Sequence, residues 1–440
     1  MSDKSNVLTL GAIQELPLVD IHVHLPGTIS PRTAWDLGVR NGFISIDNEH
    51  GGVSWRNGPN SLQLNAPFEH YSNIFKQPII LDNGPVNLEY NIDYQSFKSF
   101  DHIMATVQGH RHPPGGIQNE SDLEFVLKRY MHDCIEQKVF YTELQQNIRI
   151  AYTIYSGLDT QEARLKLYSF LKRQIIEFAK HDIILRFIHC FNKTQASLSD
   201  STTYNRAVEA SEWLKEAHDA QPGVFVGIES AGHEKDESGW PAHLKAGYEA
   251  VRDIGLGCEA HGGEATGVEH MMDVIRMLPI TRLAHGFQVI EDEKSIFEVM
   301  DRDVTLVMAP LINMKLGACL HTIADKDGHL IPKSKSHGGV KSYIDELYQH
   351  PFFKLIREYK GIKIALSSDN PYMAGRLIKE SIIALAGLSS EYIFPDGTEP
   401  LRSDELVQCC LSGIDAAFCD DEIKQMYKSK LSDWIKKYRY

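Results

Sequence analysis

The chain has 440 residues, 42% of them hydrophobic and 24% charged, with a formal net charge of −14 at pH 7. That much apolar material builds a large core, and the acidic balance argues against a nucleic-acid backbone or an anionic membrane as the main partner while leaving small-molecule substrates open. No apolar run reaches the length of a membrane span, and MSDKSNVLTL at the start has no long apolar stretch before a cleavage site, so a cytoplasmic protein is expected, with oligomeric state unknown. Seven scattered cysteines without a C-x-x-C pair suit reduced thiols better than a disulfide framework.

Residues 19–24, Val-Asp-Ile-His-Val-His, form the first clear element. On a strand, His22 and His24 face the same way while Ile21 and Val23 pack on the other side. Leu25-Pro26-Gly27 stops the strand, leaving the imidazole pair at its carboxyl end, where barrel and open α/β enzymes keep their chemistry. A helix over 31–40 follows. From 41 to 91 the texture turns to Gly, Asn and Pro with scattered aromatics, as in GGVSWRNGPN and DNGPVN. We read this stretch as an ordered insertion over a barrel mouth and a candidate lid.

A helical pattern returns over 93–108, breaks at Arg111 to Gly116, and resumes over 120–137. Strands are then expected at 139–144, 183–188, 223–228, 255–259, 282–285, 304–308 and 362–366, with helices through 158–181 and 204–218 and helical patterns between most of the others. With 19–24 these strands supply the count that a closed (β/α)8 barrel requires. The expected fold is an α/β TIM-type barrel, one domain over 1–440, with the insertion after the first strand, a second loop insertion over 321–342 and extra C-terminal helices that bury Cys409 and Cys410. An open doubly wound sheet is the alternative. Chemically useful residues at the ends of nearly all the strands favour the barrel, since an open sheet gathers them at one switch point.

Those strand ends carry a set. Cys258-Glu259-Ala260-His261-Gly262-Gly263-Glu264 puts a histidine and a glutamate close together, with glycines that keep space clear for a substrate. Leu283-Ala284-His285-Gly286 adds another strand-end histidine, and Ser367-Ser368-Asp369-Asn370-Pro371 ends the last strand with a carboxylate. Each has an ordinary structural explanation alone. Together with His22 and His24 they are what a catalytic, hydrolytic metal site needs.

These motifs, in this order, resemble the adenosine deaminase family of metal-dependent amidohydrolases. His22-Val23-His24 is similar to its first metal motif, Gly227-Ile228-Glu229-Ser230-Ala231-Gly232 to its fourth-strand segment, His261 to Glu264 to its H-A-G-E, His285-Gly286 to its H-G, and Asp369-Asn370-Pro371 to its D-D-P. The stretch 401–431, with Asp404-Glu405 before an apolar helix, resembles its closing helices. The resemblance implies one Zn²⁺ held by His22, His24, His261 and Asp369, lowering the pKa of a bound water toward about 7. It implies Glu264 as proton donor to a purine ring nitrogen, His285 as the group that orients or deprotonates the water and steadies developing charge, and Asp369 as both ligand and hydrogen-bond acceptor. Gly232, through its backbone N–H, Asn370 and His24 would meet the substrate. The implied reaction is hydrolytic deamination of a 6-aminopurine nucleoside to the 6-oxopurine and ammonia.

The departures from the family pattern touch substrate rather than metal. Pro26 stands where the family usually carries an acid that reaches the ribose. Asn370 replaces the second Asp of D-D-P, which bonds the purine N7. Ala309-Pro310-Leu311-Ile312-Asn313 keeps only the Pro and Asn of C-P-x-S-N. Adenine, a 5′-modified nucleoside and an N6-substituted nucleoside or nucleotide are therefore alternatives, and a non-catalytic family member that binds nucleoside or a protein partner is the alternative of another class. Lys326, Lys333, Lys335 and Lys341 form a local basic cluster suited to phosphate, which we read as a solvated loop.

Overall fold

Eight parallel strands run in chain order around one sheet: β1 (Leu18–His24), β2 (Val139–Gln146), β3 (Ile184–Asn192), β4 (Phe225–Ala231), β5 (Gly257–Gly262), β6 (Arg282–His285), β7 (Thr305–Met308) and β8 (Ile364–Leu366). They belong to a computed structural model that describes residues 7–42, 44–47, 52–55, 76–81, 84–88, 116–193, 200–232, 240–264, 266–315, 322–324, 330–332, 346–374 and 376–440. Every residue of β1 is buried, as befits a strand covered on both faces. Closure comes past the end of β8. Val23 pairs with Asp369 in a parallel bridge, His24 N–H donates to the Asp369 carbonyl at 2.8 Å, and Asp369 N–H donates to that of His22 at 3.0 Å. Below this bridge the Ser368 hydroxyl and backbone N–H donate to Asp20 at 2.6 and 3.2 Å. The eight-stranded barrel expected from the sequence is the fold observed.

Local chemistry explains the helix starts. Pro31–Arg40 begins with Pro31 in its first turn, behind Ser30, whose hydroxyl accepts Thr33 N–H at 3.0 Å. Asn119 and Asp159 cap Glu120–Gln137 and Thr160–Ala179 in the same way. Several strands run further than the sequence suggests: β2 ends at Gln146, β3 at Asn192, β4 at Ala231 and β5 at Gly262. Their last residues, among them Gln145, His189, Glu229 and His261, are polar yet buried. Gln145, Glu229 and His261 line the inside of the barrel mouth, while His189 turns outward against Trp213 of the helix Asp200–Ala220, and these polar residues break the apolar pattern that reveals a strand.

Within 41–91 the described pieces are two antiparallel pairs, Ile44–Asp47 with Gly52–Trp55 and Lys76–Leu81 with Gly84–Leu88. These strands carry no readable period because each is short and half of its pattern falls in turns. A third pair, Thr322–Ala324 with Leu330–Pro332, lies in the second insertion. The helix expected over 93–108 and the cluster of Lys326, Lys333, Lys335 and Lys341 lie outside the described residues.

The C-terminal helices Ser403–Ala416 and Asp421–Tyr438 fold back under the barrel. Cys409 and Cys410 are buried in the first. The second is tied to the chain start, with Tyr427 Oη donating to the Pro17 carbonyl at 3.0 Å and Trp434 Nε1 to that of Ala12 at 2.8 Å. Among the described residues no helix is long and apolar enough to cross a membrane.

Helices Asp200–Ala220 and Trp240–Asp253 approach so closely that a Cβ on Gly247 would sit 2.3 Å from the Ala207 carbonyl oxygen. Backbone cannot yield as a flexible side chain does. Gly247→Ala is expected to destabilise the fold by about 1–3 kcal/mol, as overpacking does, read as a lower denaturation midpoint at unchanged denaturant slope.

Candidate active site

His22, His24, His261 and Asp369 meet at the carboxyl end of the barrel. Each offers one ligand atom, all of these atoms lie within 4.8 Å of one another, and all four residues are buried. Asp369 Oδ1 lies 3.3 Å from His24 Nε2 and 3.7 Å from His22 Nε2. A second group, His261, Glu264 and His285, adjoins the first, with Glu264 Oε2 3.5 Å from His285 Nε2. Strand register produces the meeting: His261 is level with Ala284 and Gly262 with His285, while the closing bridge sets Asp369 beside Val23, between the two first-strand histidines. His285 and Asp369 have φ of 66° and 56°. Such left-handed backbone in non-glycine residues is stored strain of the kind that gathers at functional sites.

Three of the inward-facing rings, those of His22, His261 and His285, are held from behind. His22 Nδ1–H donates to Glu259 Oε1 at 2.7 Å, and the Gln145 amide lies against the same nitrogen at 2.7 Å. His261 Nδ1–H donates to Glu229 in a short bond. The Asn313 amide N–H donates to His285 Nδ1 at 3.1 Å, so a neutral His285 carries its proton on Nε2. Lys193, buried at the end of β3, donates to the His261 carbonyl at 3.2 Å.

Burial holds His24, His261 and His285 well below the usual imidazole range, helped by neighbouring histidines. At His22 burial also opposes charge, but Glu259, and behind it Asp369 and Glu229, outweigh it and raise the ring to about 9. Burial works to raise Glu259 too, and Arg282 with His22 overcomes it, holding the carboxyl at about 2. Burial pushes Asp369 up to about 7, and burial with the nearby Glu259 does the same for Glu229.

Buried polar atoms without a hydrogen-bond partner among the described residues include His22 Nε2, His285 Nε2 and Asn370 Oδ1, and buried groups are rarely left so without a ligand, ion or water to meet them. Three imidazoles and a carboxylate oxygen are the donor set of a divalent transition-metal site, and the orphaned His22 Nε2 faces Asp369. The four residues thus fit a metal ion.

Gly232 follows β4 with φ of 97°, a conformation that favours glycine. Asn370 directs one amide N–H at Asp369 Oδ1, 2.6 Å away. Pro26 lies in the buried turn Leu25–Thr28. Sequence reasoning passed over the orienting groups Glu229, Glu259 and Arg282, and over Lys193. The available signal was charge inside apolar barrel strands, where an unpaired ion is too costly to bury. Glu229→Gln leaves His261 a neutral partner. If the cluster holds a divalent metal ion, the full-length variant is expected to bind it about 10- to 100-fold more weakly, read by chelator competition, with its far-UV circular dichroism unchanged.

The family model described as adenosine deaminase matches residues 89–326, more than half of the chain. An adenine deaminase of Vibrio parahaemolyticus is 24% identical over 424 residues, covering 96% of this chain and 97% of that one. An adenosine deaminase of Shewanella denitrificans is 23% identical over 419 residues, covering 95% and 99%. Among solved structures, an adenine deaminase from Arthrobacter aurescens superposes with a TM-score of 0.64 at 16% identity, covering 96% of this chain and 99% of that one. An amidohydrolase from Burkholderia ambifaria, solved with bound Zn, gives 0.64 at 18% identity over 98% and 94%. The chain belongs to the adenosine deaminase family and is a hydrolase acting on carbon–nitrogen bonds of cyclic amidines.

Proposed function

We propose that this chain is a zinc-dependent aminohydrolase of 6-aminopurines whose preferred substrate is the free base adenine. The observation that carries deamination is the junction of the four-residue cluster with Glu264 and His285 in one buried pocket end. A proton donor and a metal site side by side are what replacement of a ring amine by water requires. Bound among His22, His24, His261 and Asp369, one zinc ion would supply a water acidic enough to attack near neutral pH. Glu264 holds the proton that a ring nitrogen takes up as the amine-bearing carbon becomes tetrahedral. His285, with its proton on Nε2, steadies the charge that develops on the attacking oxygen. Asp369 accepts the proton that this water gives up. Asp369 returns that proton to the amine as its carbon–nitrogen bond breaks, so ammonia leaves, and the hydroxyl proton passes back to Glu264 as the carbonyl of the 6-oxopurine forms.

Two features move the substrate from the nucleoside expected above toward the base. The turn that holds Pro26 is buried and presents no carboxylate to a ribose. Asn370, set by the family resemblance against N7 of the purine, gives one N–H to Asp369 and keeps a buried carbonyl oxygen without a partner. A carbonyl needs a donor there. Free adenine in its 7H form offers a ring N–H at that edge, whereas a purine substituted at N9 offers a lone pair. The Vibrio parahaemolyticus relative named adenine deaminase agrees with this reading.

An ammonia-release screen of the zinc-loaded chain against adenine, 9-methyladenine, adenosine, methylthioadenosine and AMP tests the assignment. Adenine is expected to show the highest kcat/KM, with 9-methyladenine at least tenfold lower although it carries no sugar. Highest turnover on adenosine, the substrate in the name of the Shewanella denitrificans relative, would return the assignment to the nucleoside. Glu264→Gln is expected to keep zinc and substrate binding and to lose about 10²- to 10⁴-fold in kcat, because an amide bonds a ring nitrogen without protonating it. Turnover at the wild-type rate would remove Glu264 from the chemistry.

A further inference from the structure

Beneath the site, on the side of the barrel away from its mouth, lies an ionic network that the reaction does not touch. Arg282, the first residue of β6, has no exposed surface. Its guanidinium lies 2.5 Å from Glu143 Oε2 and donates to Glu259 Oε2 at 2.8 Å. It donates as well to the Ile21 carbonyl at 3.0 Å and the Ala416 carbonyl at 3.1 Å, and the Phe418 ring stacks with its centroid 3.8 Å from Cζ. Phe418 belongs to the short segment joining the two C-terminal helices, and its backbone N–H donates to Glu143 Oε1 at 2.6 Å.

The sequence leaves room for this ring. A Cβ on Gly257 would sit 2.2 Å from it, and one on Gly227 would sit 2.8 Å away. The first residue of β5 and a residue early in β4 are thus bare where Phe418 enters.

We infer that Phe418 and Arg282 are positioning residues that hold His22 in its ligating orientation through Glu259. The chain of contacts is continuous: Phe418 N–H to Glu143, Glu143 to Arg282, Arg282 to Glu259, and Glu259 to His22 Nδ1 at 2.7 Å. Arg282 also grips the β1 backbone at Ile21, one residue before His22, so a single guanidinium sets both the strand and the ring. Glu143 already neutralises Arg282, and burying a second carboxylate is costly unless it does something further. What Glu259 does with its other oxygen is fix the His22 tautomer, leaving the Nε2 lone pair for a ligand. The stacked ring excludes water from the guanidinium and stops it turning away, where cation–π attraction is strongest. The C-terminal helices therefore act on the metal site from below, through charge and hydrogen bonds.

This inference rests on the metal reading of the His22 cluster, and the experiment separates the two. Zinc affinity of the metal-depleted, full-length chain is measured by competition with a chromogenic chelator, alongside the metal-free thermal midpoint, for wild type, Phe418→Ala, Glu259→Gln and the double variant. Glu259→Gln is expected to weaken zinc about 10- to 100-fold, and Phe418→Ala by at least threefold. The double variant is expected to bind zinc no more weakly than Glu259→Gln alone, while Phe418→Ala lowers the thermal midpoint in both backgrounds. Phe418→Leu, which keeps the apolar bulk and loses the ring, replaces the alanine variant should that one not fold, with the same threefold criterion. A lowered midpoint with zinc affinity unchanged would make Phe418 a packing residue only. Additive losses in the double variant would break the link to His22. A wild-type chain that takes up no zinc overturns the metal reading and this inference together.

Discussion

Two backbone hydrogen bonds join the first strand to the last, from His24 to Asp369 and from Asp369 to His22. The residues that make them also offer metal-ligand atoms, so one contact closes the barrel and assembles the site. A strand with nothing to pair with on one edge would leave donors and acceptors unpaired. Here the last strand is short, Ile364–Leu366, and closure passes to the turn beyond it, whose backbone at Asp369 is held in the left-handed region. The strain at this point is the geometric cost of aiming a carboxylate between two imidazoles while still completing the ring of strands.

Around that contact the interior carries several carboxylates, and each is accounted for. Glu229 and Glu259 hold His261 and His22 from behind, Glu143 and Glu259 share Arg282, and Asp20 takes two hydrogen bonds from Ser368. The outcomes differ with the partner. Glu259 beside a guanidinium stays ionised, whereas Asp369 and Glu229, without one, are pushed by burial toward neutrality. Like-charged groups crowd the mouth of the barrel only because a cation lies beneath it and the imidazoles stay mostly neutral.

The barrel was legible in the sequence because each strand is a short apolar run between helical patterns, and the clustered residues were legible because each sits where such a run stops. His22 and His24 declared themselves by spacing, and His261, His285 and Asp369 by the glycine or Asn-Pro that follows. The orienting residues were not legible in the same way. Glu259 is two residues before His261 and reads as an isolated acid, since its partner His22 lies 237 residues away in sequence. Arg282 looks like an ordinary strand start until Phe418 is laid across it. The small hairpins of 41–91 were missed because a strand of four to six residues offers too few positions for alternation to show. Asn370 was visible as a departure from D-D-P, but its bond to Asp369 depends on where that carboxylate points.

Closure by residues near opposite ends of the barrel sequence also ties the four-residue cluster to the completed fold. His22 and His24 are neighbours in sequence, whereas His261 comes from the fifth strand and Asp369 from the turn after the eighth. The entropy of closing so long a loop grows only logarithmically with its length, but the contact is non-local and comes late. Any folding intermediate without the last strand presents an ion with two or three imidazoles and no carboxylate. A metal ion held by all four residues would therefore need the finished barrel, and would act as a clamp on completed tertiary structure rather than a seed for it.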